Sequence, residues 1–211
     1  MELLKEISLK LQQGNAKAVE ELVQQAINQG LKAEEILEQG LMPGIDVIGA
    51  KFKNNEIFVP EVLIAARAMN AGTALLKPLL VSANAQTKGK VVLGTVKGDL
   101  HDIGKNLVRM MMEGKGLEVI DLGIDVPCEK FIETAKAENA QIIACSALLT
   151  TTMNEMKMIV DAAVEAGIRD QVKIMIGGAP VTDQFRETIG ADLYAPDAAS
   201  AAEVAVEACT A

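Results

Sequence analysis

Apolar positions in this chain follow two different periods. Up to about residue 82 they recur three or four residues apart, as in Leu3, Leu4, Ile7 and Leu11, then Val19, Leu22, Val23 and Ile27, the spacing of one face of an α-helix. Asn15 stands where an N-cap belongs and Gly30 where a helix stops. A third helical stretch covers about 33–52 and is disturbed around Gly40–Gly44, because Pro43 lacks the N–H that a helix interior needs. A fourth begins at Pro60, a residue suited to a first turn, and runs toward Leu80. Four helices joined by short turns, with no strand among them, predict an up-and-down bundle over 1–82.

Residues 83–89 are small, polar and aperiodic and read as a linker. Beyond it short apolar runs at 91–96, 117–122, 142–146, 172–176 and 192–194 alternate with helical patterns. Strand–helix alternation means βαβ units and a parallel sheet. The fold class is therefore α/β: a helical N-terminal unit followed, over 90–211, by a flavodoxin- or Rossmann-like doubly wound sheet. In such sheets ligands sit beyond the carboxyl ends of the strands, where the strand order reverses. Three loops share that edge: 99–104 after the first strand, 146–150 after the third and 177–179 after the fourth.

The 211 residues suffice for a sizeable core, which must rest on aliphatic side chains because aromatics are only 2%. A net charge of −9, with no Lys/Arg cluster, speaks against nucleic-acid partners and anionic membrane surfaces. No apolar run is long enough to span a bilayer, and the acidic start lacks the pattern of a signal peptide. Cys128, Cys145 and Cys209 fit neither a disulfide framework nor a CxxC motif and read as reduced thiols of a cytoplasmic protein, Cys145 in the core. Met110, Met111, Met112, Met153, Met156 and Met158 fall on predicted helices and read as flexible core filler.

The single histidine, His101, lies in the first of the three loops, within Gly98-Asp99-Leu100-His101-Asp102-Ile103-Gly104. Imidazole is the commonest transition-metal ligand, and a carboxylate two residues away can take its other ring N–H and fix the tautomer. Taken alone, such a histidine is as well read as a surface residue at the start of a helix. Asp102, Lys105 and Asn106 read as the cap and first turn of that helix. Paired glycines such as Gly177-Gly178 at a strand end let a ligand come close to the backbone.

The order and spacing of these loops resemble the signature of the cobalamin-binding domain family, D-x-H-x-x-G, then S-x-L, then G-G, met here by Asp99/His101/Gly104, Ser146/Leu148 and Gly177/Gly178. The resemblance implies a cobalamin or related corrinoid bound base-off, with His101 as cobalt axial ligand in place of the nucleotide base. Asp99 stands behind it, and Thr152 occupies the place where methionine-synthase-like members carry a serine that relays a proton. Gly98, Leu100, Asp102 and Ile103 would face the corrin, Ser146 and Thr150 the base of the tail, and Gly177 and Gly178 its tunnel. Asp197 and Ala198 would lie near the tail.

The N-terminal half resembles the helical cap of the methyl-transfer branch, through Glu38-Gln39-Gly40-Leu41-Met42, Val47–Phe52 and Ile57–Val62. By that pattern Glu38, Phe52 and Val59 would cover the upper ligand, with Val59 smaller than the leucine of methionine synthase. The closest form is the free-standing corrinoid protein of methanogen and acetogen methyltransferase systems. It implies a carrier cycling between methylcob(III)alamin and cob(I)alamin. The partners implied are a substrate-specific methyltransferase, a methylcorrinoid:acceptor methyltransferase using tetrahydrofolate or coenzyme M, and a reductive activase, with the linker as hinge. Alternatives sharing the three motifs are an adenosylcobalamin-dependent isomerase subunit and a cobalamin-based sensor.

Overall fold

Two periods in the sequence become two units. The structure, a computed structural model, describes residues 2–82 and 87–210, and contacts divide the chain into Met1–Gln86 and Thr87–Ala211. Residues 83–86 of the expected linker lie outside the described ones.

In the first unit α1 (Glu2–Gln12) and α2 (Ala16–Asn28) bury the predicted stripes, Leu4, Ile7 and Leu11 on one and Val19 and Val23 on the other. Asn15 caps α2, its side chain accepting from the Ala18 N–H, and Gly30 takes φ +83° just past the end. The third stretch is one continuous rod of three parts: α3 (Ala33–Ile36), a π-helical segment (Leu37–Leu41) and α4 (Met42–Lys53). The expected disturbance is thus a widened turn and not a break. Pro43 has no N–H to return to the preceding turn, and a π turn lengthens the helix there without ending it. Helix α5 (Val59–Ser82) is longer than expected and runs through Pro78, which is exposed close to its end.

In the second unit the strands are β1 (Lys90–Thr95), β2 (Glu118–Asp121), β3 (Ile142–Ser146), β4 (Lys173–Gly177) and β5 (Leu193–Tyr194). All pairs are parallel, in the order β2-β1-β3-β4-β5. The order reverses between β1 and β3, so the loops after these two strands flank the switch point. Successive β1 residues point to opposite faces: Val92 and Val96 join Ile143, Cys145, Ile174 and Ile176 in a core covered by α7 (Cys128–Glu138) and α8 (Asn154–Glu165). The remaining helices are α6 (Ile103–Gly114), α9 (Asp183–Ile189) and α10 (Ala198–Thr210), of which α6 packs against α10. Burial on both faces explains why β1 and β3 read as unbroken apolar runs rather than alternating ones. Cys145 is buried as expected, and burial pushes its thiol up to about 12. Of the methionines, Met111, Met112 and Met156 are core and Met110 is half-buried, whereas Met153 is half-buried in the turn before α8 and Met158 is 45% exposed on that helix.

Candidate functional site

The site grows from the carboxyl end of β1. Gly98 (φ +78°) turns the chain, and Asp99, wholly buried, points its carboxylate back under the loop. Oδ1 accepts from the His101 backbone N–H (3.1 Å) and the His101 ring Nδ1 (2.8 Å). Oδ2 accepts from the N–H groups of Leu148 (2.8 Å) and Leu149 (3.2 Å) and from the Thr152 hydroxyl (2.9 Å). One carboxylate therefore ties the loop after β1 to the loop after β3. Burial alone would raise its pKa, but the donors of Leu148, His101 and Leu149 outweigh burial and hold it well below the usual carboxylate range.

An ionised carboxylate only accepts, so the shared proton sits on Nδ1, and Nε2, on the other side of the ring, is the nitrogen left for a ligand. The His101 side chain is 52% exposed. Its backbone carbonyl is held from below by the buried Thr95 hydroxyl at 2.9 Å. The two loops that Asp99 joins also carry apolar side chains that the fold does not cover: Leu100 and Ile103 are about two-thirds exposed, and Leu148 and Leu149 about two-fifths.

The structure brings Asp99, His101, Leu148 and Thr152 together as one hydrogen-bonded group. Thr152 is buried, and its hydroxyl lies 2.9 Å both from Asp99 Oδ2 and from the Leu149 carbonyl. It has one proton and can serve only one of them at a time. Asp102 stands at the cap position of α6 without capping it; its carboxylate instead accepts from the Asn106 amide. Lys105 does not simply start the helix but is 2% exposed and paired with Asp121. Ser146 is half-buried and Thr150 exposed. Asp197 receives both the N–H and the hydroxyl of Ser200 and so caps α10, while Ala198 is buried.

The glycines of these loops are of two kinds. A Cβ on Gly178 (φ +131°) would fall 1.9 Å from the Ala147 carbonyl oxygen, so the fold itself demands glycine there. A Cβ on Gly177 would meet only the Ala195 oxygen at 3.8 Å, and one on Gly104 nothing within 4 Å. In the first unit Glu38, in the π turn, is exposed, and Phe52 and Val59 are half-buried, so none of the three belongs to that unit's closed core.

Sequence reading missed the loop 122–126 and its anchor. Asp125 (φ +53°) accepts the Gly98 N–H at 2.7 Å and donates its own N–H to the Asp99 carbonyl at 3.1 Å, and Ile124 beside it is 42% exposed. These contacts join positions some 25 residues apart, and no local pattern marks them.

What can this surface hold? Among the described residues no three His, Cys, Asp or Glu side chains converge on a metal position. His101 offers one ligand, so a metal here needs its other ligands from a prosthetic group. Open space at Gly104 and Gly177 and uncovered apolar side chains suit a large, flat, mostly apolar one.

Fold and site define a class: a doubly wound domain with a single exposed imidazole, backed by a buried carboxylate, at its switch point, preceded by a helical unit. Residues 89–207 match the family model described as B12 binding domain, and residues 3–77 match a second model of that description. The chain belongs to the B12-binding domain family and is a corrinoid protein. It is 46% identical over 180 residues to trimethylamine corrinoid protein 1 of Methanosarcina acetivorans, covering 84% of this chain and 83% of that one. Its identity with a corrinoid protein of Desulfitobacterium hafniense is 40% over 208 residues, 97% of this chain and 96% of the other. Among solved structures, the methanol:cobalamin methyltransferase complex MtaBC of Methanosarcina barkeri superposes with a TM-score of 0.87 at 33% identity, covering 99% of this chain and 80% of that chain.

Proposed function

We propose that this protein carries a methyl group on a corrinoid between a substrate-specific methyltransferase and a methylcorrinoid:acceptor methyltransferase. The observation that carries this reading is the exposed ring of His101, whose Nδ1 is held by a buried carboxylate and whose Nε2 is left for a ligand, in loops with uncovered apolar side chains. When bound, the corrinoid supplies a cobalt centre able to hold and release the methyl group.

The chain's own residues do the rest. His101 would hold the metal of that group through Nε2, and Asp99 keeps its ring in one tautomer and orientation. When Nε2 is not ligating, it is the atom that takes a proton. Thr152 tunes that exchange: a hydroxyl turned toward Asp99 Oδ2 stabilises the carboxylate, and one turned toward the Leu149 carbonyl leaves Oδ2 with one donor fewer. Gly98, Leu100, Asp102, Ile103 and Gly104 face the corrin. Ser146, Leu148, Thr150, Gly177 and Gly178 would take the nucleotide tail, with Asp197 and Ala198 near it. In the helical unit Glu38, Phe52 and Val59 are assigned to the upper ligand by their place in the family pattern.

Similarity to a relative named for trimethylamine, and to a structure named for a methanol methyltransferase, supports a small methylated compound as donor. The complex named in that structure supports a methyltransferase partner. A reductive activase is proposed as a further partner: loss of the methyl group as a cation leaves the electron pair on the metal, so the cycle itself consumes no reductant, and one would be needed only to restore a centre lost to stray oxidation. Three thiols without a disulfide fit a cytoplasmic setting, and among the described residues no helix is long and apolar enough to cross a membrane. The division 1–82, 83–89 and 90–211 goes with this reading.

The test is the ultraviolet–visible spectrum of the purified chain with hydroxocobalamin and with methylcobalamin, in wild type and His101→Ala. The expected result is a base-off, His-coordinated spectrum lost in the variant. A spectrum unchanged by the substitution removes His101 as ligand, and tight binding of adenosylcobalamin alone turns the reading toward an isomerase subunit or sensor.

A further inference from the structure

We propose that the buried Lys105–Asp121 ion pair is a positioning element for His101, acting through the loop 122–126; this rests on the corrinoid reading above. Lys105 stands in the first turn of α6, where a lysine would ordinarily reach water. Here it is 2% exposed, and its ammonium donates to Asp121 Oδ1 (2.6 Å), Asp121 Oδ2 (2.7 Å) and Asn106 Oδ1 (2.9 Å). All three ammonium donors have a partner. Replacing a buried ion pair by apolar groups of the same shape is often neutral or stabilising, so bulk stability does not account for the charges. What the pair adds is direction.

Asp121 ends β2, the edge strand, and its carboxylate does more than meet Lys105. Oδ1 also accepts the Gly123 N–H at 3.0 Å, and Oδ2 accepts from Arg109 at 3.0 Å. From Gly123 (φ +87°) the chain folds along the end of β1, with the Thr95 N–H donating to the Gly123 carbonyl and the Val126 N–H to the Thr95 carbonyl. Asp125 then grips the His101 loop twice, taking the Gly98 N–H and giving its own to the Asp99 carbonyl. Hydrogen bonds thus tie Lys105 to Asp121 and Asp121 to Gly123, and two residues further along the chain Asp125 is bonded to the Gly98 N–H and the Asp99 carbonyl. These bonds also fix the aim of Ile124, flanked by two residues of positive φ and 42% exposed in the same loop. Removing the pair leaves Asp99 its five donors but frees the outer wall of the loop.

The full chain carries the test as Lys105→Met, Asp121→Leu and the two together, beside Asp125→Gly. The double variant leaves no unpaired lysine in the interior, and Arg109, one-third exposed, can turn to solvent. Asp125→Gly removes the side-chain half of the last link, the acceptor of the Gly98 N–H, at an exposed residue whose φ glycine accepts, and keeps the backbone bond to the Asp99 carbonyl. Circular dichroism reports folding. Amide hydrogen exchange at Gly98 and Asp125 reports the loop without any ligand. With hydroxocobalamin bound and reduced to the cob(II) form, nitrogen hyperfine splitting in electron paramagnetic resonance reports the His-coordinated fraction.

In the double variant we expect exchange at the two amides to rise at least about tenfold with β4 unchanged, and corrinoid affinity to fall about tenfold with a smaller His-coordinated fraction. Asp125→Gly should reproduce the loss of coordination. Wild-type exchange at Gly98 and Asp125 in the double variant, or a wild-type His-coordinated fraction in Asp125→Gly, overturns the proposal. Absence of corrinoid binding in the wild type would instead bring down the corrinoid reading, while the two amides would still report whether the pair holds the loop.

Discussion

At the scale of single residues the chemistry turns on Asp99. Five donors on a wholly buried carboxylate make its ionised form the stable one, with a pKa below the ordinary 3.8. Because the folded value is depressed, these bonds contribute stability that is complete above about pH 3.8 and drains away as pH falls toward the folded value. Asp99→Asn keeps the shape but turns an amide NH2 toward N–H and O–H donors, leaving two or three of them unmatched. Each buried group left unsatisfied costs about 1–3 kcal/mol. We expect the variant to lose roughly 2–4 kcal/mol at pH 7, with the gap to wild type narrowing below pH 4, as followed by urea unfolding across that range. A constant gap down to pH 2 would mean that the carboxylate is not what the loop depends on. Asp99 and His101 were legible in the sequence because a two-residue spacing puts them in one loop. Asp125 and Lys105 were not, since their partners are brought near only by the pairing of β1 with β2.

At the scale of elements the sequence spoke clearly where one face or one run repeated. Strands β1 and β3 announced themselves as unbroken apolar runs because helices cover both sides of the sheet, and Asn15 and Gly30 bounded α2 by their own backbone chemistry. The rod 33–53 was harder. Pro43 signals a disturbance but not its kind, and a π turn that keeps the helix going differs from a break only in how the neighbouring helix packs. The junctions between strands and helices separate folding from binding. In the turn after β4, Gly178→Ala would put a methyl group against the Ala147 oxygen at a φ that alanine resists, and we expect unfolding or a severe loss of stability. Gly177→Ala meets no such obstacle. In the first turn of α6, Gly104→Ala adds a methyl group to open space and should leave the ligand-free protein as stable or up to about 1 kcal/mol more so. Both permissive variants should bind hydroxocobalamin more weakly, because the space they fill is the space assigned to the cofactor. Thermal unfolding without ligand, beside titration with it, distinguishes the two kinds of glycine; equal effects of Gly104→Ala and Gly178→Ala on folding would contradict the assignment.

At the scale of the whole molecule, each unit matches a B12-binding model of its own, and the cofactor assigned to the sheet unit must show in the thermodynamics of the chain. A ligand that binds only the folded form stabilises it by mass action, by about 2.7 kcal/mol when present at a hundred times its dissociation constant. For a unit of 125 residues, Thr87 to Ala211, that corresponds to a rise of about 10 °C in the unfolding midpoint. Hydroxocobalamin should produce this shift in wild type and a smaller one in His101→Ala, whose exposed apolar side chains are intact but whose metal ligand is gone. Hydrogen exchange then locates the contacts. Slowing is expected in 98–104, 146–152 and 177–178, and in the helical unit around Glu38, Phe52 and Val59. Slowing confined to the sheet unit would remove those three residues from the cofactor. An equal midpoint shift in wild type and His101→Ala would show that the apolar loops alone hold the corrinoid, and that the imidazole, so carefully oriented by Asp99, serves the reaction rather than the binding.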